Sequence, residues 1–216
     1  MANIRAVLQS AAPLPAFEDS PRFPSLLLLT LPFLSGGLPR GAITEFSGAR
    51  SCGRMAMILH VLAEATARGE ICAVVDTDDQ FHPASAAASG VSLANLVWVR
   101  CGRNADHAMR VADLLLHSGG FGVVVLDLCE VQPRLLNRIP ISYWYRFRHA
   151  IEQTPTILLV CTPSPQARPR CIRSSWAAPV LIGKERCLFV CCEAWTFPRM
   201  CASRWRAASR GFRSKP

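Results

Sequence analysis

The sequence predicts an α/β fold of three layers, with a mostly parallel central sheet held between helices. Three observations predict it. Continuous apolar runs at residues 71–75, 96–99, 123–126 and 156–161 read as strands buried on both faces. Segments of helical periodicity separate them, which is the rhythm of βαβ units. Two of the runs end in aspartate, at Asp76 and Asp127, on the edge where open parallel sheets bind ligands. Every strand is expected to be covered on both faces, and every crossover to be right-handed.

The elements follow in order. Residues 1–25 carry Pro13, Pro15, Pro21 and Pro24 and predict an extended lead-in. Residues 26–34 are a short apolar element. Gly36, Gly37, Pro39 and Gly41 mark a turn, and residues 42–46 alternate like a strand. Residues 53–68 predict a helix, because Met55, Ile58, Leu59 and Leu62 share one face and Gly69 stops it. Residues 83–89, 104–118 and 140–152 are further helices. The second is closed by Gly119 and Gly120, and the third sets Trp144, Phe147 and Ile151 on one face. After residue 162 a loop rich in proline and arginine leads to two apolar runs, 178–182 and 187–192, with a hairpin turn at Gly183 and Lys184. The division expected is an arm over residues 1–34, a core over 35–192 and a basic tail over 193–216.

Half of the 216 residues are hydrophobic, which excludes wholesale disorder. The longest apolar run, residues 26–34, is broken by Thr30 and Pro32 and is about half of the roughly 20 residues that a membrane span needs. The first residues lack a long apolar stretch of the secretory kind. A cytoplasmic protein with no membrane contact is expected. The ten cysteines are scattered and form no CxxC pair. Cys72, Cys161, Cys187, Cys191 and Cys192 lie in apolar runs, so buried reduced thiols are expected, and no metal site. The net charge of +9 is uneven. Residues 1–163 balance 13 Arg against 13 Asp or Glu, whereas residues 164–216 hold 11 Lys or Arg and only Glu185 and Glu193. A neutral body with a basic end points to a polyanion or an acidic partner there.

The strand, loop and helix over residues 42–68 stand where a phosphate loop would sit. Such a loop reads GxxxxGK[ST]: its amides wrap phosphate, its lysine reaches the outer phosphates and its hydroxyl holds magnesium. Here the loop runs Gly48, Ala49, Arg50, Ser51, Cys52, Gly53, Arg54, Met55. Both glycines are in register. Lysine is replaced by the bulkier fork of Arg54. The hydroxyl is replaced by the thioether of Met55, which is no ligand for a hard cation. The spacing predicts a retained loop shape without its catalytic chemistry.

These residues resemble a RecA-type core. GGLPRGAITEFSG is similar to the lead-in of that family's phosphate loop, CAVVDTDDQFHP to its next strand and acidic end, and GFGVVVLDL to its Walker B strand. The resemblance runs over residues 35–162 and implies a fold of the P-loop NTPase type. It implies that the catalytic glutamate falls at Asp78, the adenine-stacking tyrosine near Ser85, Walker B at Asp127, and the γ-phosphate sensor at Thr162 or Pro163. Several of these positions depart from the family together, so Asp78 and Asp127 are vestigial candidates. Gly48, Ser51, Gly53, Arg54 and Met55 are the candidate anion-binding loop.

Within that family GGLPRGAITE, DLLLHSGGFGVVVLDL and IPISYWYRFRHAIEQTPTILLV, with the degenerate phosphate loop, resemble the ImuA group of SOS-mutagenesis accessory proteins. The resemblance implies a non-catalytic partner of RecA, or of a Y-family-like and a replicative-type polymerase, in translesion DNA synthesis, with single-stranded DNA as a further ligand and no cofactor. An enzyme alternative is a weak ATP-binding, DNA-dependent ATPase or recombinase-like protein with ATP and magnesium. A third is a cell-division inhibitor like SulA.

Other residues admit two readings. Asp76, Asp78 and Asp79 bind a ligand at the strand end, or cap the next helix. His82 precedes Pro83 and reads as a turn residue rather than a base. Residues 143–148 interleave aromatics and arginines, which suits base stacking, yet Trp144, Phe147 and Ile151 have the spacing of a core face. Arg168, Arg170 and Arg173 lie where the family carries its second DNA loop, and either grip phosphates or solubilise that loop. The tail, with Trp195, Phe197, Trp205 and Phe212, is an interaction segment or has no role.

Overall fold

The computed structural model describes residues 37–48 and 53–164, together with the strand pairing of 22–23, 175–182 and 185–192. The arm and tail expected over residues 1–34 and 193–216 therefore lie outside the described residues, apart from one two-residue strand, Arg22–Phe23, which pairs antiparallel with Leu38–Pro39. The hairpin turn expected at Gly183 and Lys184 also lies outside them.

The central sheet holds five parallel strands: β1 (Ile43–Gly48), β2 (Cys72–Asp76), β3 (Leu96–Arg100), β4 (Val123–Asp127) and β5 (Ile157–Thr162). An antiparallel pair, β6 (Ser175–Ile182) and β7 (Glu185–Cys192), extends it beyond β1. The order across the sheet is β3-β2-β4-β5-β1-β7-β6. This is the α/β three-layer fold that the apolar runs predict.

Alternation within each strand assigns the two layers. Cys72, Val74, Val123, Val125, Ile157, Leu159 and Cys161 face one core, while Ala73, Val75, Val124, Leu126, Leu158 and Val160 face the other, as a period of two requires. Helices α1 (Arg54–Ala67) and α2 (Pro83–Ala88) cover the first core. Helices α3 (Ala105–Ser118) and α5 (Ile141–Ile151) cover the second, and the short α4 (Pro133–Leu136) adds Leu136 to it. Trp144, Phe147 and Ile151 are all buried there, so the core face holds, and Tyr145 is the exposed one among the aromatic side chains of residues 143–148. Arg146 on α5 pairs with Asp113 on α3 and ties the two helices together.

Local chemistry places the helix starts. Asn104 caps α3, its Oδ1 accepting the amide of His107 at 3.0 Å. His82 caps α2, its Nδ1 accepting the amide of Ser85 at 3.2 Å, with Pro83 in the first turn. It is the turn residue expected.

The amino ends of the strands are closed by a buried polar lock. Arg40, just before β1, forks onto Glu70, just before β2, at 2.7 and 3.2 Å. Its Nη1 also donates to the carbonyl of Pro155 at 2.7 Å, just before β5. Gly122, just before β4, lies against the same carboxylate; a Cβ built there would meet Glu70 Oε2 at 1.9 Å.

Two expectations need correction. Strand β3 is not a buried strand: Val97 and Val99 pack against one core and Leu96 and Trp98 against the other, but it is the sheet edge and its residues are only half-buried or exposed. The segment before the phosphate loop does not alternate. Every residue of β1 except Gly48 is buried, because β5 and β7 flank it and helices cover the sheet. Cys72, Cys101 and Cys161 are buried free thiols and Cys129 is half-buried. The burial of Cys187, Cys191 and Cys192 lies outside the described residues. No helix among the described residues is long and apolar enough to cross a membrane.

Candidate functional site

The start of α1 and the segments at the carboxyl ends of β2, β3 and β4 meet at one cleft of about 880 Å3. It is lined by Gly53, Arg54 and Met55 from the start of α1, by Asp78 and Gln80 from the loop after β2, and by Asp127 and Cys129 from the end of β4. The sequence places these residues apart; the parallel register brings them together, since Asp76 of β2 lies beside Asp127 of β4, and Asp127 beside Cys161 of β5.

Gly53 starts α1 with φ of 90°, a left-handed value that favours glycine, and no side chain caps it. Arg54 is almost fully buried. Its Nη1 donates to the carbonyl oxygen of Thr162 at 2.9 Å and to that of Gly48. The guanidinium thereby ties the ends of β5 and β1 to the first turn of α1. Met55 is half-buried and packs against the apolar core beneath α1, so the cleft has a thioether where a nucleotide-bound magnesium needs an oxygen. Gly48 closes β1. Ser51 lies outside the described residues.

The acidic residues separate by role. Asp76 is buried and saturated: it accepts the amides of Gln80 at 3.1 Å and Phe81 at 2.9 Å, and the indole N–H of Trp98 at 3.2 Å. It shapes the loop that enters α2. Asp79 is exposed, with φ of 59°, and is forked by Arg100 at 2.8 and 3.0 Å, which holds its carboxyl below the usual range. Asp78 faces the cleft. Its Oδ2 is sequestered and meets no donor among the described residues. Burial, then the charge of Asp127, push its pKa up against the pull of Arg103. Asp127 accepts the amide of Cys129 at 2.9 Å, and burial pushes its pKa up as well, with Asp76 adding to the effect and Arg54 opposing it.

The polar residues that the family resemblance sets at the phosphate end are occupied or absent. Thr162 donates its hydroxyl to the buried Glu45 at 2.6 Å, and Pro163 has no donor side chain. Ser85 is exposed, and its hydroxyl meets His82 Nδ1 at 2.9 Å; it offers no ring to a base. Among the described residues no three His, Cys, Asp or Glu side chains converge on a metal position. Arg168, Arg170 and Arg173 lie outside the described residues.

Among the cleft residues that sequence reasoning missed are Arg103 and Cys129. Arg103 follows Gly102 in a turn and has φ of 62°; its amide donates to Thr77 at 2.6 Å, and it lines the cleft opposite Asp78. The Gly102-Arg103-Asn104 turn is the available signal. Cys129 was visible only as the residue two beyond Asp127.

Comparison with known proteins agrees with this geometry. The profile of the RecA N-terminal domain matches residues 25–134. The chain is 44% identical over 92 residues to Protein RecA of Rhodospirillum rubrum, covering 43% of this chain and 25% of that one. It is 40% identical over 100 residues to Protein RecA of Mesorhizobium japonicum, covering 46% and 27%. It is 39% identical over 92 residues to Protein RecA of Chlorobium chlorochromatii, covering 43% and 26%. The matched segment thus spans about a quarter of these relatives.

Proposed function

The chain belongs to the RecA N-terminal domain family, and from that premise we propose that it is a non-catalytic accessory protein of the ImuA kind. It acts in SOS-linked translesion DNA synthesis through contacts with RecA or a mutagenic polymerase complex, and through single-stranded DNA. The observation that supports this most is the direction of Arg54. The cation at the phosphate-loop lysine position is bonded to the carbonyls of Thr162 and Gly48, so one of its two terminal nitrogens is already engaged by backbone. Met55 supplies no magnesium ligand, which argues against a magnesium nucleotide. Gly48, Ser51, Gly53, Arg54 and Met55 form in this proposal a loop that keeps its shape without hydrolysis. Asp78 and Asp127 are vestiges of the family's acidic positions.

Residues 35–192 are the proposed core, preceded by an arm and followed by a basic tail. Arg168, Arg170 and Arg173 are the proposed DNA contacts, since arginine grips phosphate through charge and paired donors. The proposed compartment is the cytoplasm. The enzyme alternative draws on one observation: Asp78 and Asp127 still face a common cleft.

The test is capture of RecA and of polymerase subunits by the purified full chain, with single-stranded DNA binding read in parallel. The expected result is capture of one of these proteins without added nucleotide, and loss of DNA binding in Arg168→Ala/Arg170→Ala/Arg173→Ala with protein capture intact. Capture of none, together with DNA-stimulated ATP turnover, would reject the accessory role in favour of the enzyme.

A further inference from the structure

Cys129 and Cys161 form a thiol pair at the cleft. Cys161 is the penultimate residue of β5, beside Asp127 of β4, and the amide of Leu128 donates to its carbonyl at 2.8 Å. Cys129 follows one residue later. Both side chains lie on the α1 side of the sheet, Cys161 within the core and Cys129 packed against it. The register thus sets the two thiols on one face of neighbouring chain segments, and the Cys129 amide donates to the Asp127 carboxylate at 2.9 Å. Accessibility differs. Cys161 is fully buried, whereas Cys129 is half-buried and lines the open cleft.

We propose that Cys129 and Cys161 are a redox-active pair that closes to an intramolecular disulfide by exchange with a low-molecular-weight disulfide of the glutathione type. The cleft admits such a molecule and exposes only Cys129 to it, so the order of steps is set by access. Cys129 sulfur attacks one sulfur of the small disulfide. An S–S bond forms to Cys129, the S–S bond of the oxidant breaks, and the released thiolate takes the proton of Cys129. Cys161 sulfur then attacks Cys129 sulfur, expelling the second small thiolate, which takes the proton of Cys161. Two protein thiols are oxidised and one small disulfide is reduced to two thiols. Cys161 is buried behind Cys129 and acts second; its neighbour Cys129 and burial push its thiol pKa up. The link would fasten the loop after β4, which lines the cleft, to the end of β5.

The experiment uses the full chain in a glutathione redox buffer, followed by acid quench, alkylation of free thiols and non-reducing tryptic mapping. Cleavage after Arg110, Arg134, Arg148 and Arg170 leaves Cys129 and Cys161 as the sole cysteines of residues 111–134 and 149–170. The expected result is loss of both alkylated peptides in equal amount and appearance of their cross-linked pair, absent in Cys129→Ser. Cys161→Ala serves as the second variant and is expected to leave Cys129 as a mixed disulfide with glutathione. A parent chain in which Cys129 stops at that mixed disulfide, stays alkylated, or joins another cysteine would overturn the pairing.

Discussion

Arg54 Nη1 donates to the carbonyl oxygen of Thr162 at 2.9 Å, linking the start of α1 to the end of β5 across 108 residues of chain. The same nitrogen also donates to Gly48 at the end of β1. Hydrogen bonds from a charged donor contribute about 1.5–3 kcal/mol each. Arg54→Ala is therefore expected to lower the unfolding free energy by roughly 2–4 kcal/mol, read by urea denaturation. A change below about 0.5 kcal/mol, the usual range for a surface substitution, would mean that the guanidinium is free in solution.

The lock at the opposite end of the sheet couples Glu70 to Gly122. Gly122→Ala sets a methyl group against Glu70 Oε2 and is expected to destabilise by roughly 1–3 kcal/mol through overpacking. Glu70→Ala leaves Arg40 buried without its carboxylate and is expected to cost about 3–5 kcal/mol. The double variant should cost less than the sum, because the clash is gone once the carboxylate is removed. Strict additivity in the double-mutant cycle would contradict the contact.

Asp76 accepts three donors and acts in the fold rather than on a ligand. Asp76→Ala strands the amides of Gln80 and Phe81 and the indole of Trp98. An expected loss of about 2–4 kcal/mol follows from the usual cost of unpaired buried groups, with a shift in the emission of Trp98. Unchanged stability and emission would return Asp76 to the list of ligand-binding candidates.

The folded state raises the carboxyl pKa of Asp78 and Asp127, chiefly by burial. Unfolded aspartate titrates near pH 4. The folded chain therefore binds protons before the unfolded chain does, and this pair makes stability fall as pH rises from about 4 through the raised folded values. Asp127→Asn, which keeps an acceptor for the Cys129 amide, is expected to stabilise the fold at neutral pH and to lose that advantage below about pH 4. Asp78→Asn should behave alike. Denaturation curves at both pH values check this, and an advantage that persists in acid would contradict the sign.

Much of the fold was legible in the sequence because burial on both faces writes an unbroken apolar run. Residues 123–127 carry that signal, and β4 spans them. The same rule misjudged β3, because Leu96, Val97, Trp98 and Val99 are as apolar as a central strand while lying at the edge. An edge strand and a central strand differ in neighbours rather than in composition. At the site, the spacing of Gly48, Gly53 and Arg54 marked the loop. The direction of Arg54 was not legible, since it depends on the carbonyl of Thr162 at the end of another strand. Arg103 reaches the cleft through a turn that only Gly102 and Asn104 mark, and Cys129 through a register that leaves no residue pattern.

Arg54 and Met55 stand where a phosphate loop carries lysine and a hydroxyl, and the proposed consequence is a chain without nucleotide chemistry. The most direct test is ATP binding and hydrolysis by the purified chain, with and without single-stranded DNA, beside an Arg54→Lys/Met55→Thr variant. The account predicts no turnover and no saturable binding in the parent, with binding gained in the variant that regains a lysine and a hydroxyl. Saturable ATP binding with DNA-stimulated turnover in the parent would contradict it.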